Sequence, residues 1–287
     1  MGLKVKQYKR VITFGCSWTK YFWPTWANVI SDILEVPLVN QGTAGIGNVA
    51  ILHKMLAWDL QHGFSDTDLV LVNWSTFFRE DRIKNGHWRT GGSVFNSRFY
   101  NDKFVRNYWD GENDFVRNAG AIIMANKLFS IAYQSRMPQK TKNGYKPQKD
   151  AVWYQKWHSK ISHIEAFWLT TDDLEIAWKK LTTDEHPSIL SHTDHAIKIA
   201  KDIGFNDTDK LDSIKEYYNI LHDNITNDLK LIQPIKDFDA ALKIIPIAVL
   251  QNLKKLKRPL DFQGHDKNLV SSIQYLEKQK GQSWHDL

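Results

Sequence analysis

The sequence predicts an α/β protein: a parallel sheet with helices packed on it, an aromatic-rich insertion, and a helical C-terminal extension. Three observations carry that expectation. Strand-like and helix-like segments alternate with short connections over the first 80 residues. The third strand-like run, DLVLVNWS (68–75), is continuously apolar at its centre, as strands buried on both faces are. The rhythm then fails from Phe77 to about Gln155, where Asn, Gly, Arg and aromatic residues dominate.

Taken in order, RVITFG (10–15) reads as a strand of β-branched and aromatic residues ending on a glycine. PTWANVISDIL (24–34) places Trp26, Val29, Ile30, Ile33 and Leu34 at helical spacing, with Pro24 in a tolerated first-turn position. VPLVNQG (36–42) reads as a second strand, and NVAILHKMLAWDL (48–60) as an amphipathic helix with Asn48 as a cap. Within the insertion, expected over about 77–155, one helical stretch runs along AGAIIMANKLFSIAYQ (119–134). SHIEAFWL (162–169) is a candidate strand, and HPSILSHTDHAIKIAKDI (186–203) becomes helical after its proline. Beyond Gly204, Leu211, Ile214, Tyr218, Leu221, Ile225 and Leu229 step by three and four, so that helix needs a partner. The expected division is an α/β domain over 1–203 and a helical extension over 204–287.

Composition narrows the function classes. The chain of 287 residues is 42% hydrophobic and 24% charged, enough to bury a full core. No run approaches the roughly 18 apolar residues of a membrane span. The apolar run at 11–14 is shorter than a signal-peptide core of about 7–15 residues, and Thr13-Phe14-Gly15 is no lipoprotein cleavage site before Cys16. The expectation is a chain without secretion signal or membrane span. A single cysteine excludes an internal disulfide framework. The net charge of +6 permits contact with acidic polymers without requiring it. The densest basic segment (136–149) is punctuated by Pro and Gly and reads as a solvated loop, so neither nucleic acid nor membrane is an expected partner. Twelve tryptophans, five of them between Trp88 and Trp168, suit either a sugar-stacking or partner surface, or plain core filling.

The chemistry converges on one edge. Ser17 follows the first strand, Gly45 lies in NQGTAGIGN after the second, Asn73 and Ser75 end the third, and DEHPS (184–188) opens a late helix. In α/β sheets ligands bind beyond the carboxyl ends of the strands. Acyl transfer needs a nucleophile, a base, a group that orients the base, and donors for the oxyanion. Ser17 can be the nucleophile, His186 the base and Asp184 its orienting acid. The Ser17 and Gly45 N–H groups, with an amide or hydroxyl at Asn73 or Ser75, can form the oxyanion hole.

These blocks resemble the GDSL/SGNH hydrolase superfamily. FGCSWT is similar to its first block, with Cys16 where the name-giving aspartate stands and Ser17 at the nucleophile. NQGTAG is similar to the second block, whose glycine is matched by Gly45. LVLVNWS lies where Gly-x-Asn-Asp is expected, and DEHP resembles the block that supplies the acid and histidine. The likeness spans roughly residues 8 to 202. It implies a three-layer α/β/α sandwich, flavodoxin-like, and metal-free hydrolysis or transfer of esters, often acetyl groups on sugars. No cofactor is implied; the implied partner is an acylated carbohydrate or another small ester. The third block departs from the pattern, and Ser75 rather than Asn73 falls at the strand-end position. The last block has one residue between acid and base where the usual pattern has two, which puts Thr183 at the usual acid position. A WS third block and long aromatic insertions look like versions from bacterial viruses; the implied location is the cytoplasm, or the virion in that case.

Rival readings stand beside these. Ser17 can simply cap a helix, Cys16 can be a small buried filler, and the glycines of 42–47 can only make a turn. Asp184, His186, His192, Asp194 and His195 cluster as metal ligands do, without a recognised zinc spacing. GTAGIGN between strand and helix hints at a nucleotide loop but lacks its lysine and glycine order. The alternative from a different class is a catalytically inactive binding or structural protein on the same fold, a glycan-binding or assembly component.

Overall fold

The computed structural model describes residues 8–84, 87–95, 100–138, 152–167, 169, 172–232 and 238–256. The chain opens with β1 (Arg10–Gly15), α1 (Trp26–Leu34), β2 (Leu38–Asn40), α2 (Asn48–His62) and β3 (Asp68–Trp74). A hairpin of β4 (Arg79–Lys84) and β5 (His87–Ser93) follows, then α3 (Asp102–Asn107), α4 (Gly111–Leu128), β6 (Tyr133–Arg136), α5 (Val152–His158) and β7 (Glu165–Ala166). The rest is helical: α6 (Asp173–Thr182), α7 (Ile189–Asp202), α8 (Thr208–Leu231) and α9 (Phe238–Lys255). The fold is α/β, with a five-stranded parallel sheet in the order β2-β1-β3-β6-β7 and a separate two-stranded sheet, β4-β5. Among the described residues no helix is long and apolar enough to cross a membrane.

Two compact units divide the chain. One comprises Met1–Val11, Lys20–Asn40 and Trp168–Leu287. Here α1 packs on α7 and α8, and α8 also packs on α6 and α9. The periodic residues Leu211, Ile214, Tyr218, Leu221, Ile225 and Leu229 are all buried. Each such side chain contributes about 1.5–3 kcal/mol, so the helices after Gly204 share a core with α1. Thr25 is the N-cap of α1, its N–H bonded to Asn28 Oδ1 (3.0 Å), and Pro24 therefore lies just outside the helix.

The other unit comprises Ile12–Thr19 and Gln41–Phe167. The central strands match their sequence signals: β1 and β3 are buried from their second residues onward. The peripheral ones differ from expectation. Strand β6, parallel to β3, falls inside the segment read as an insertion. It carries Tyr, Gln, Ser and Arg and is held by side-chain hydrogen bonds: Trp74 Nε1 to Gln134 Oε1 (2.8 Å), Asn73 Nδ2 to Ser135 Oγ (2.7 Å) and Arg136 Nε to Ile164 O (3.0 Å). Such a strand has no apolar alternation to read. The strand expected over 162–169 shrinks to Glu165–Ala166, because Ile161 and Ile164 are joined by a turn (Ile164 N to Ile161 O, 3.1 Å). The helix expected at 119–134 is α4, which starts at Gly111 with Asp110 accepting from Glu112 N and Asn113 N. Asn48 is not a cap: Gly47 is, and the Asp81 carboxylate of β4 does the capping, taking Gly47 N–H (2.9 Å) and Ala50 N–H (3.2 Å). The basic segment lies outside the described residues from 139 onward, as does the extension beyond 256.

Candidate active site

Strand β1 ends at Gly15 because nothing larger fits there. A Cβ would stand 2.1 Å from Thr19 Oγ1 and 2.8 Å from the Asn73 carbonyl oxygen of β3. The chain then turns through Cys16–Thr19, closed by Thr19 N–H to Cys16 O (2.9 Å). Ser17 lies in that turn, 5% exposed, and is not the cap of α1. Cys16 is fully buried with Sγ 3.3 Å from Met137 Sδ, a packing role.

The loop after β2 runs back to the same strand end, with Gln41 N–H on Thr13 O (2.8 Å) and Thr43 N–H on Gly15 O (2.9 Å). Gly45 has φ +73°, the left-handed region that favours glycine. Three successive residues of this loop are held by the hairpin: Gly45 O by Gly92 N–H (3.0 Å), Ile46 O by Arg79 Nη1 (2.8 Å) and Gly47 N–H by Asp81. Among the described residues no acceptor takes the Gly45 N–H. The N-terminus of α2, where a nucleotide phosphate would bind, is filled by the Asp81 carboxylate.

The two candidates at the end of β3 are changed by their contacts. Asn73 and Ser75 are both fully buried, and one of the two Asn73 amide hydrogens is directed at Ser135 Oγ (2.7 Å). The Ser75 N–H donates to Asn48 Oδ1 (2.7 Å), and Asn48 Nδ2 returns to Ser75 O (3.2 Å). The Ser75 hydroxyl lies 3.9 Å from Met137 Sδ.

In the other unit, Asp184 and His186 are paired. The Asp184 Oδ1 lies 2.6 Å from His186 Nδ1 and accepts the His186 backbone N–H at 2.8 Å. Asp184 Oδ2 accepts the Tyr21 hydroxyl, and the Tyr21 ring stacks on the imidazole with centroids 3.9 Å apart. Burial pushes the Asp184 carboxyl upward, but the His186 and Tyr21 bonds more than offset it and hold it below its ordinary value. An ionised Asp184 accepts, so Nδ1 carries the proton and Nε2 is the basic nitrogen. The Tyr21 phenol is pushed well above its usual value, first by burial and then by the Asp184 charge. Asp184 is 3% exposed and His186 23%. Thr183 ends α6 in a left-handed conformation with its hydroxyl on Thr182 O (2.7 Å), so Asp184 and not position 183 is the acid beside the histidine.

The segment after His186 is pinned from two sides. Trp23 Nε1 donates to Pro187 O (2.9 Å). The buried Glu175 carboxylate accepts Ser188 N–H (3.1 Å) and Ser191 Oγ–H (2.7 Å) at the start of α7. His192 and His195 are core residues of α7. Burial lowers both, His192 well below the usual value and His195 to about 3. Among the described residues no three of His, Cys, Asp or Glu are grouped to hold a metal ion. Tyr21, Trp23, Glu175 and Arg79 were not singled out from sequence. Tyr21 and Trp23 stand in the aromatic run WTKYFW, but nothing local ties that run to residues 184–187.

No protein-family model matches the chain, and the search of curated proteins gives no match. Among solved structures, a lipolytic protein of the G-D-S-L family from Veillonella parvula DSM 2008 is similar at 13% identity and TM-score 0.39, covering 68% of this chain and 97% of its own. A putative lipolytic protein of the G-D-S-L family from Desulfitobacterium hafniense DCB-2 is similar at 14% identity and TM-score 0.36, covering 68% and 99%.

Proposed function

We propose that the protein is a serine-dependent ester hydrolase that removes acyl groups, acetyl above all, from carbohydrate. The observation that carries this reading is the Asp184–His186 pair, with Nδ1 on a carboxylate that Tyr21 also holds. That arrangement fixes the tautomer that makes Nε2 a base. In the proposed reaction Ser17 Oγ attacks the carbonyl carbon, its proton passes to His186 Nε2, and the carbonyl electron pair moves onto oxygen. Collapse expels the alcohol, which takes the proton back from His186 and leaves an acyl group on Ser17. Water repeats the sequence and releases the acid. The Ser17 and Gly45 N–H groups, with the second Asn73 amide hydrogen or the Ser75 hydroxyl, are the proposed donors to the oxyanion. Aromatic side chains beside the hairpin, with Tyr108 72% exposed, favour a sugar as the alcohol part.

The test is hydrolysis of a small activated acetyl ester by the wild type and by Ser17→Ala. A loss of at least about 10³-fold, roughly 4 kcal/mol, is expected. Equal activity in both would remove Ser17 from the mechanism. One observation favours a second reading, a binding or structural protein without turnover: the Ser75 backbone N–H and one Asn73 amide hydrogen are already engaged. Failure of a fluorophosphonate probe to label Ser17 in the wild type would select that reading.

A further inference from the structure

We propose that Arg79 is a further catalytic residue, whose guanidinium donates to the substrate oxygen on which negative charge develops. The inference rests on the esterase reading above. Arg79 is fixed at one corner, Nη1 donating to Ile46 O at 2.8 Å, one residue from Gly45. At the other corner Nη2 meets a poor acceptor, the Met137 thioether at 3.8 Å. Its Nε is buried with no hydrogen-bond partner among the described residues. A guanidinium has five N–H donors, and among the described residues a single oxygen accepts from it. Of the two acids that follow it in sequence, Glu80 accepts from Arg82, and Asp81 spends its two oxygens on Gly47 and Ala50 N–H. A half-buried cation with unspent donors is poised for an anion that comes and goes.

Its place fits that role. Met137 Sδ, which the guanidinium touches, is also 3.3 Å from Cys16 Sγ and 3.9 Å from Ser75 Oγ. One sulfur thus joins Arg79 to the residue before Ser17 and to the hydroxyl after β3. Fixed donors aimed at a developing oxyanion stabilise the transition state more than the ground state. Arginine stays charged across the working range, so this donor is constant with pH. It adds to the end of β3, where one Asn73 amide hydrogen is already engaged by Ser135.

The experiment is steady-state hydrolysis of an uncharged acetyl ester by wild type, Arg79→Ala and Arg79→Lys, with circular dichroism and Ser17 labelling by a fluorophosphonate. Expected for Arg79→Ala is a fall in kcat of about 10²–10³-fold with KM within about threefold, and partial recovery on adding free guanidinium ion. A purely structural role would show no such rescue. Arg79→Lys is expected to lose at least about tenfold, because one ammonium cannot both hold Ile46 O and reach the oxyanion; if the alanine variant fails to fold, this variant decides. Unchanged kcat in a folded variant, or a loss confined to KM for an ester bearing its own carboxylate, would overturn the proposal and leave the esterase reading intact. A wild type that neither hydrolyses the ester nor takes the label at Ser17 would overturn both.

Discussion

Replacing Tyr21 with phenylalanine removes one hydroxyl and keeps the ring that stacks on His186. The hydroxyl donates to Oδ2 of Asp184, a carboxylate only 3% exposed. A hydrogen bond to a buried charge is worth about 1.5–3 kcal/mol, so a destabilisation of about 2 kcal/mol is expected at pH 7. Its pH dependence is the sharper expectation. The Asp184 carboxyl is held below its ordinary value, so its contribution is present above about pH 4, the unfolded value, and fades as pH falls through the folded one. Tyr21→Phe weakens that depression. The stability gap between wild type and variant is therefore largest near neutrality and shrinks in acid. Urea denaturation at pH 7 and at pH 3 measures both gaps. Equal gaps at the two pH values, or a variant as stable as wild type at pH 7, would refute the electrostatic account of Tyr21. In the ester assay, Tyr21→Phe is expected to lose less than Tyr21→Leu, which also removes the stacked face.

Other expectations follow from the same contacts. Alkaline titration followed at 295 nm should show Tyr21 silent until well above pH 10, read as a wild-type minus Tyr21→Phe difference; its contribution to stability is full below about pH 10, the unfolded value, and is lost as pH rises through the higher folded one. Asp114, buried and bonded to Trp109 Nε1 (2.6 Å), is raised to about 6, chiefly by burial. Its contribution is full below about pH 4 and lost as pH rises through about 6. Wild type should therefore lose up to about 3 kcal/mol from this group between pH 4 and 7, and Asp114→Asn should not, measured by denaturation at both pH values. Gly15→Ala should cost more than about 2 kcal/mol, because its Cβ meets a backbone oxygen at 2.8 Å, and the melting temperature should fall accordingly.

The sequence was legible where a residue's neighbours decide its structure. Gly15, the β-branched run before it and the buried run of β3 each carry their own signal, and the strand limits follow within a residue. The residues DEHPS pair an acid with a base two positions on, and the structure joins them at 2.6 Å. What stayed hidden depends on distant partners. Asn73 reads as a free amide until Ser135, 62 residues on, takes one of its two hydrogens. Tyr21 gains its place beside Asp184 across 163 residues. Strand β6 hides because hydrogen bonds rather than apolar alternation hold it to β3.

The hairpin of β4 and β5 shows how a segment that breaks the strand–helix rhythm can still shape the site. A loop of small residues such as GTAGIG has little side-chain surface to fix its own path. The hairpin supplies what it lacks: Gly92 grips residue 45, Arg79 residue 46 and Asp81 residue 47. The Gly45 carbonyl, held by Gly92, fixes the 45–46 peptide, and the positive φ of Gly45 sets the adjoining plane that carries its N–H. Asp81 adds a second constraint through α2, since the same carboxylate holds Gly47 and Ala50. Oxyanion donors depend on orientation more than on identity, so a hairpin far from the acid and base in sequence can govern rate. By that argument Asp81→Ala, which releases the Gly47 and Ala50 N–H groups, should lower kcat on the acetyl ester while the Asp184–His186 pair stays unchanged. Imidazole proton resonances that move along with kcat would break the argument.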